Sequence, residues 1–120
     1  MNLHEQITSA IGAHGLWKGR IRGAIENGAC DVPVNVARDD HQCAFGKWLH
    51  GANLDPAARK SKHYGVCAEL HRRFHVAAAD ALALALAGKK HEASRALAAD
   101  QAFAKVSGEL TRAMLAWKSA

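Results

Sequence analysis

Apolar residues recur at intervals of three and four over most of this chain, and this spacing constrains the fold more than any other feature. The most regular series lies near the C-terminus and consists of Ala96, Ala99, Phe103, Val106, Leu110, Ala113 and Trp117. Such a series places the apolar side chains on one face of a helix. The composition agrees, because the 120 residues include 26 alanines and only 2 prolines. The sequence therefore predicts an all-α fold.

Glycines and capping residues divide the chain into three long helices and one short helix. The predicted helices cover about residues 3–27, 41–50, 56–87 and 89 to the C-terminus. Asp39 or Asp40 is a suitable N-cap for the short helix, and Asp55 followed by Pro56 begins the third helix. Residues 29–38 are predicted to form an extended connector. We expect a single domain over residues 1–120, folded as an antiparallel four-helix bundle.

Charge and hydropathy exclude several classes of partner. The formal net charge is +5, but the lysines and arginines are scattered without a long block of like charge. The most apolar stretch, residues 76–87, contains Asp80 and is too short to span a bilayer. The N-terminus has no basic region followed by an apolar run. We expect a cytoplasmic chain with neither a nucleic-acid partner nor a membrane partner.

The unusual part of the composition is its 3 cysteines and 8 histidines. An odd number of cysteines without an export signal favours thiol or metal chemistry over a disulfide framework. His71 and His75 are four positions apart on the third helix, so their rings project from one face and can reach one ion. The alternative is that they are two polar residues on a half-exposed stripe.

Two further candidate ligands lie on the first and second helices. His14 occupies the apolar stripe of the first helix, where the alternative is a core histidine bonded to a backbone carbonyl. Cys43 falls in the first turn of the short helix, where exposed N–H groups favour a thiolate. The alternative for Cys43 is a small buried apolar residue. Gly46 lies between Phe45 and Trp48, and it allows this helix to approach another backbone closely.

A bundle topology can bring these signals together. One thiolate and three imidazoles form a four-ligand set that suits tetrahedral Zn²⁺, and four protein ligands leave no open position for a reactive water. Cys67 is a competing ligand on the same helix as His71, but we interpret it as a packed small residue. The remaining histidines, which lie at helix ends or on predicted surfaces, are expected to be solvated or, for His63, too far along the helix to share the ion: His4, His41, His50, His63 and His91.

The segment Cys43-Ala44-Phe45-Gly46-Lys47-Trp48-Leu49 resembles the C-x-F-G-x-W-[LY] signature of the bacterial chemoreceptor zinc-binding (CZB) domain. The upstream His14-x-x-Trp17-Lys18 and the downstream His71-x-x-x-His75 resemble the other two blocks of that family. The resemblance implies that His14, Cys43, His71 and His75 bind zinc within a four-helix bundle that dimerises. The residues expected to surround the ligands are Trp17, Phe45, Gly46 and Trp48.

The resemblance also implies a signalling role, because the family's domains are attached to chemoreceptors, diguanylate cyclases and similar modules. We predict a zinc-binding sensory or regulatory module that is not an enzyme, with a signalling protein as its partner. The glycines of the first helix, which lie along one face, favour close helix contact and a homodimer: Gly12, Gly15, Gly19 and Gly23. Because a thiolate is oxidised more easily than an imidazole, hypochlorite is expected to attack Cys43 first.

Two other functions remain as alternatives from the sequence. A hemerythrin-like di-iron bundle that binds oxygen also uses histidines of a four-helix bundle, but it requires bridging carboxylates. Glu69 and Asp80 are not four positions from His71 or His75, and a thiolate favours zinc. Nonspecific DNA binding through the positive charge lacks a clustered basic face or a recognition motif.

Overall fold

The computed structural model describes residues 2–120, and every regular element in that range is a helix. The eight helices are α1 (Leu3–Gly15), α2 (Trp17–Asn27), α3 (Val34–Arg38), α4 (Ala44–Leu49), α5 (Pro56–Arg59), α6 (Lys62–Leu86), α7 (Lys90–Ala96) and α8 (Ala102–Ser119). The all-α prediction is confirmed. None of the helices within residues 2–120 is long and apolar enough to cross a lipid bilayer.

The first predicted helix is two helices joined at Leu16. Leu16 keeps right-handed helical dihedrals, so α1 and α2 continue a single buried stripe on one side. That stripe consists of Ile7, Ala10, His14, Trp17, Ile21 and Ala24. Leu16 itself is not part of this stripe, and its side chain is 62% exposed. Gly28 ends α2 with a φ of 70°, as the sequence predicted.

The extended connector predicted for residues 29–38 is wrong in its second half, because residues 34–38 form α3. Pro33 is the N-cap of this turn, and Ala37 is 1% exposed where α3 packs against α6. Burial of Ala37 therefore favours a helix in a segment whose valines suggested extended backbone. The next helix, α4, begins one residue after Cys43, so the predicted N-caps Asp39 and Asp40 are also wrong.

The third predicted helix is interrupted before its long regular part. Ser61 is the N-cap of α6, and its hydroxyl accepts a hydrogen bond from the N–H of His63 at 3.2 Å. The first N–H groups of a helix have no partner within that helix, and the Ser61 hydroxyl accepts from one of them. This local cap favours a new helix start after Ser61, so α5 ends at Arg59. From Lys62 to Leu86 the helix continues without a break for 25 residues.

The last predicted helix is also two helices, with a turn at residues 97–101 between α7 and α8. Leu97 and Phe103 are 6% and 5% exposed. On one continuous helix their side chains would point in directions about 120° apart, so the turn allows both to reach the core. The buried stripe of α8 includes Met114 where the sequence pattern favoured Ala113.

Helix α6 lies at the centre of the fold and packs against α2, α3, α7 and α8. Its buried residues include Phe74, which is fully buried and contacts Phe103 of α8 at a ring-centroid distance of 5.4 Å. Helix α1 packs against α8 and α4. This arrangement brings the middle of α6, the end of α1 and the start of α4 to one place inside the molecule.

Candidate metal centre

Four side chains from three helical segments converge there: His14 from α1, Cys43 at the N-cap of α4, and His71 and His75 from α6. Their donor atoms lie within 4.8 Å of one another. The Nε2 atoms of His14 and His71 are 3.1 Å apart, those of His71 and His75 are also 3.1 Å apart, and those of His14 and His75 are 3.3 Å apart. The Cys43 Sγ atom lies 3.3 Å from His71 Nε2 and 3.8 Å from His14 Nε2.

Backbone carbonyls determine which nitrogens of His14 and His75 face the centre. The Nδ1–H of His14 donates to the carbonyl of Ala10 at 2.7 Å, and the Nδ1–H of His75 donates to the carbonyl of Ala37 at 2.9 Å. Because a carbonyl oxygen only accepts, each Nδ1 carries the proton and each neutral ring presents an unprotonated Nε2. Two nitrogen lone pairs 3.3 Å apart repel each other, and a cation bound by both nitrogens would relieve this repulsion.

The spacing of the donor atoms fits zinc. With Zn–N near ~2.1 Å and Zn–S near ~2.3 Å, a tetrahedral site has donor-to-donor separations of about 3.4 to 3.6 Å. The five separations given above span 3.1 to 3.8 Å. One thiolate and three imidazoles also form a donor set that favours Zn²⁺. A hemerythrin-like di-iron site uses carboxylates, whereas these four donors include none.

Burial keeps the three imidazoles neutral. It lowers the pKa of His14 to about 4, against a smaller opposing effect of the hydrogen bond to Ala10. Burial and the neighbouring imidazoles of His14 and His75 lower the pKa of His71 to about 2. Burial also lowers the pKa of His75. The rings are therefore available as ligands at neutral pH without loss of a proton.

The thiol of Cys43 behaves differently from the sequence expectation of a stabilised thiolate. Burial raises the pKa of Cys43, and this effect outweighs the hydrogen bond that the Gly46 N–H donates to Sγ at 3.4 Å. The thiol therefore keeps its proton at neutral pH in the absence of a cation. Metal binding at this site must displace one proton, from Cys43.

Aromatic rings surround the four donors. Phe45 makes edge contacts with His14 and His71, at ring-centroid distances of 6.0 and 5.1 Å, and Trp17 contacts His75 at 6.4 Å. Trp48 lies further out, where it contacts Phe45 and Trp117, both at 5.7 Å. The apolar rings lower the polarity around the donors and so strengthen electrostatic attraction at the centre.

Sequence reasoning missed Phe74, whose ring centroid lies 5.2 Å from that of His14 and 5.6 Å from that of His75. Its position on α6, between the two histidines and three residues after His71, could have identified it as a neighbour of the ligands. The Ala37 carbonyl was also missed, and an extended connector offered no signal for it. Cys67 is buried in the hydrophobic core and is not one of the four grouped residues. Burial raises its pKa to about 11, as befits a packed small residue.

Gly46 allows the start of α4 to lie directly against the preceding loop. A Cβ atom at this position would be 1.7 Å from the carbonyl oxygen of Asp40 and 2.8 Å from its carbon. No side chain fits there unless the backbone moves. Because Cys43 lies between these two residues, this close approach determines where its sulfur is placed. The sequence expectation of a close backbone approach at Gly46 is confirmed, although the neighbour is a loop and not another helix.

A cleft of about 300 Å³ opens beside the centre. It is lined by the candidate ligands His14, Cys43 and His75 and by neighbouring residues that include Leu16, Trp17, Arg20, Val32, Val36 and Gln42. The edge is partly apolar, since Leu16 and Val36 are 62% and 37% exposed. Arg20 supplies a positive charge and stacks over Trp17 at 4.9 Å. The half-buried Cys43 is therefore one of the residues that line a solvent-facing cleft.

Comparison with known families identifies a match. The model of the chemoreceptor zinc-binding domain, CZB, matches residues 14–82. The chain belongs to the CZB family. The matched range begins at His14 and includes Cys43, His71 and His75, the four residues that converge in the structure. No curated protein and no solved structure matches the chain.

Proposed function

We propose that this CZB chain is a zinc-binding sensory or regulatory module with one closed site per chain, formed by His14, Cys43, His71 and His75. The observation that carries the proposal is the pair of unprotonated Nε2 atoms of His14 and His75, 3.3 Å apart, each fixed by an Nδ1–H bond to a carbonyl. A bound zinc would neutralise this repulsion and hold Cys43 as a thiolate. Four protein ligands leave no position for substrate, which favours binding over catalysis.

Elemental analysis of the purified chain tests this proposal. We expect one zinc per chain in the wild type and loss of most of it in the double variant His71→Ala, His75→Ala. Cys67→Ala is the matched control, because Cys67 is on the same helix and buried but lies outside the cluster. Full zinc retention in the double variant would refute the site.

The proposal includes a response to oxidants at Cys43. The cleft reaches this sulfur, and Arg20 at its edge favours approach of an anion such as hypochlorite. In the reaction, hypochlorite takes a proton from water to become hypochlorous acid, which reacts with the thiolate to give a sulfenic acid and chloride. The sulfur is oxidised by two electrons, the chlorine is reduced by two, and a new S–O bond replaces the O–Cl bond. A sulfenic acid is a poorer ligand than a thiolate, so the site is weakened where α4 begins.

Cys43→Ala distinguishes this switch from a purely structural zinc. If the site is a switch, hydrogen exchange should increase around residues 39–51 while α6 stays protected. If circular dichroism shows loss of helicity throughout the chain, the zinc is structural and the switch proposal fails. Cys30→Ala is the control, because Cys30 is also half-buried and lies outside the cluster.

We also propose that the helices form an antiparallel four-helix bundle, with α1–α2, α3–α4, α6 and α8 alternating in direction. Side-chain contacts support this order. Between α6 and α8 the paired residues are Tyr64 with Trp117 and Phe74 with Phe103. Between the α3–α4 segment and α6 they are Ala37 with His75, Phe45 with His71, and Leu49 with Tyr64. In both sets the residue numbers rise along one element while those of its partner fall, as expected for antiparallel neighbours.

A homodimer is the assembly we propose for signalling. Cβ atoms built on Gly12, Gly15 and Gly19 would meet nothing within 4 Å, so this face of α1–α2 is open for a second copy, with Leu16 exposed on it. Movement of α4 would then be passed to a partner of the chemoreceptor or diguanylate cyclase type. Light scattering at micromolar concentration should give twice 12.8 kDa, and the mass of a single chain would exclude the dimer.

A further inference from the structure

A second group of potential ligands lies at the surface beside the buried centre. It consists of Asp40, His41 and His50, whose donor atoms are within 4.8 Å of one another. The Asp40 Oδ2 atom is 3.5 Å from His50 Nε2. The rings of His41 and His50 stack with centroids 3.8 Å apart and planes 10° from parallel. The sequence offered no reason to expect these two histidines, nine positions apart, to meet.

The backbone holds this group in place. His41 follows a turn in which its N–H donates to the Asp39 carboxylate at 2.9 Å. His50 is the C-cap of α4, and its N–H donates to the carbonyl of Gly46 at 3.0 Å. The close approach of Gly46 to the carbonyl of Asp40 packs α4 against the loop that precedes it. The three side chains therefore converge because the loop and helix are locked together.

An independent observation comes from the interior. His71 is 0% exposed, and its Nδ1 atom has no hydrogen-bond partner within the described residues. This buried nitrogen faces the Asp40 carboxylate, with Oδ2 at 3.9 Å. Asp40 thus lies between a buried imidazole on one side and His50 on the other. Both distances are to Oδ2, so the second oxygen of the Asp40 carboxylate, Oδ1, is left for a cation at the surface.

We propose that Asp40, His41 and His50 form a second metal site, which binds an exchangeable Zn²⁺ in addition to the buried zinc. Two imidazoles and one carboxylate are ligands that zinc accepts, and three protein ligands leave a position for water. His41 and His50 are exposed, so the ion enters and leaves without opening the fold. Because it has one ligand fewer and lies in contact with solvent, this site binds zinc more weakly than the buried centre.

The experiment uses the full chain carrying one zinc, titrated with further Zn²⁺ in an isothermal calorimeter. We expect a second equivalent with weaker affinity in the wild type. His50→Gln and His41→Gln should each weaken the second equivalent at least tenfold and leave the first unchanged. His91→Gln is the matched control, because His91 is an exposed histidine on α7, outside both groups. Retention of the first equivalent also reports that each variant is folded.

Histidine ring resonances of the wild type give a readout that needs no variant. Signals of His41 and His50 should shift with the second equivalent, and those of His91 should not. The proposal is overturned if no second equivalent binds, or if it binds equally well in both glutamine variants. Failure of the first equivalent to bind would instead contradict the buried site, so the two proposals fail separately.

Discussion

Helix α6 and the segment of residues 39–51 both contribute to the metal centre, but they hold their donors in different ways. Helix α6 is 25 residues long, and His71 and His75 are placed on one face by helical periodicity alone. Residues 39–51 contain only the six-residue α4, and Cys43 is placed by its N-cap bond and by the contact of Gly46 with Asp40. The long helix provides a rigid platform. The short segment depends on tertiary contacts, so changes in ligand chemistry are expected to act there first.

The largest effect is expected from lowering the pH of the zinc-free chain. Acid should destabilise helices α1 and α6, which contain the buried histidines, more than the segment of residues 39–51. In the folded chain the pKa of His14 is lowered to about 4, below its value in the unfolded chain. The contribution of His14 to the free energy of unfolding is therefore fully present above pH 6.5 and is lost as the pH falls towards 4. The pKa values of His71 and His75 are lowered in the same sense. At pH 5 the neutral buried imidazoles of His14 and His71 each cost roughly 2 kcal/mol relative to the unfolded state, in which they are protonated.

Urea unfolding at pH 7 and pH 5 measures this loss, which we expect to reach several kcal/mol. His91→Gln, which removes an exposed imidazole, should leave the pH dependence unchanged. An unfolding free energy that is the same at both pH values would show that the three imidazoles are not buried in their neutral form.

The two glycines Gly46 and Gly65 offer a matched comparison of the short segment with the long helix. Gly46→Ala places a methyl group 1.7 Å from a backbone oxygen, and we expect a loss of about 3 kcal/mol together with weaker zinc binding. Gly65→Ala meets nothing within 4 Å on α6 and should be neutral or stabilising by up to about 1 kcal/mol. Equal effects of the two substitutions on denaturation midpoints would contradict the role of the Gly46 contact.

Asp40 joins the segment to α6 through the buried His71 Nδ1 atom. Asp40→Ala removes the carboxylate that faces this nitrogen, and it should reduce zinc affinity of the buried centre by roughly 10- to 100-fold. Competition with a chromophoric chelator measures this affinity. The control is Asp100→Ala, in the exposed turn before α8. If Asp40→Ala binds zinc as tightly as the control, Asp40 does not orient His71.

The smallest effect is expected at the ion pair of Arg38 with Asp80, whose atoms are 2.8 Å apart. Both side chains are substantially exposed, so Arg38→Ala should cost less than about 1 kcal/mol. Zinc affinity should not change, because the Ala37 carbonyl that holds His75 is positioned by burial of α3 against α6. A marked loss of zinc affinity in this variant would show that the ion pair, and not burial, positions α3.

The contrast between the two regions also explains what could be predicted from the sequence. The faces of the long helices follow from apolar spacing, which puts His14 on a buried stripe and His71 and His75 on one face of a helix. The breaks at Ser61 and at residues 97–101 could not be placed, because the competing local caps and core contacts are weak signals against a strong helical pattern.

The short segment was predicted less well for a physical reason. Cys43 was recognised by its motif, but the thiolate expected at a helix N-terminus is outweighed by burial, which no local pattern reveals. The contact of Asp40 with His71, and the stacking of His41 on His50, arise from tertiary packing around Gly46. Contacts between residues distant along the chain leave no periodicity in the sequence.

X-ray absorption at the zinc edge of the purified chain tests the ligand set most directly. With the buried site alone occupied, the account predicts four-coordinate zinc with one sulfur at ~2.3 Å and three nitrogens at ~2.0–2.1 Å. In Cys43→Ala the sulfur contribution should disappear, while in Cys67→Ala it should remain. A wild-type spectrum without sulfur, or with five or six light-atom ligands, would contradict a closed site formed by Cys43 and the three buried histidines.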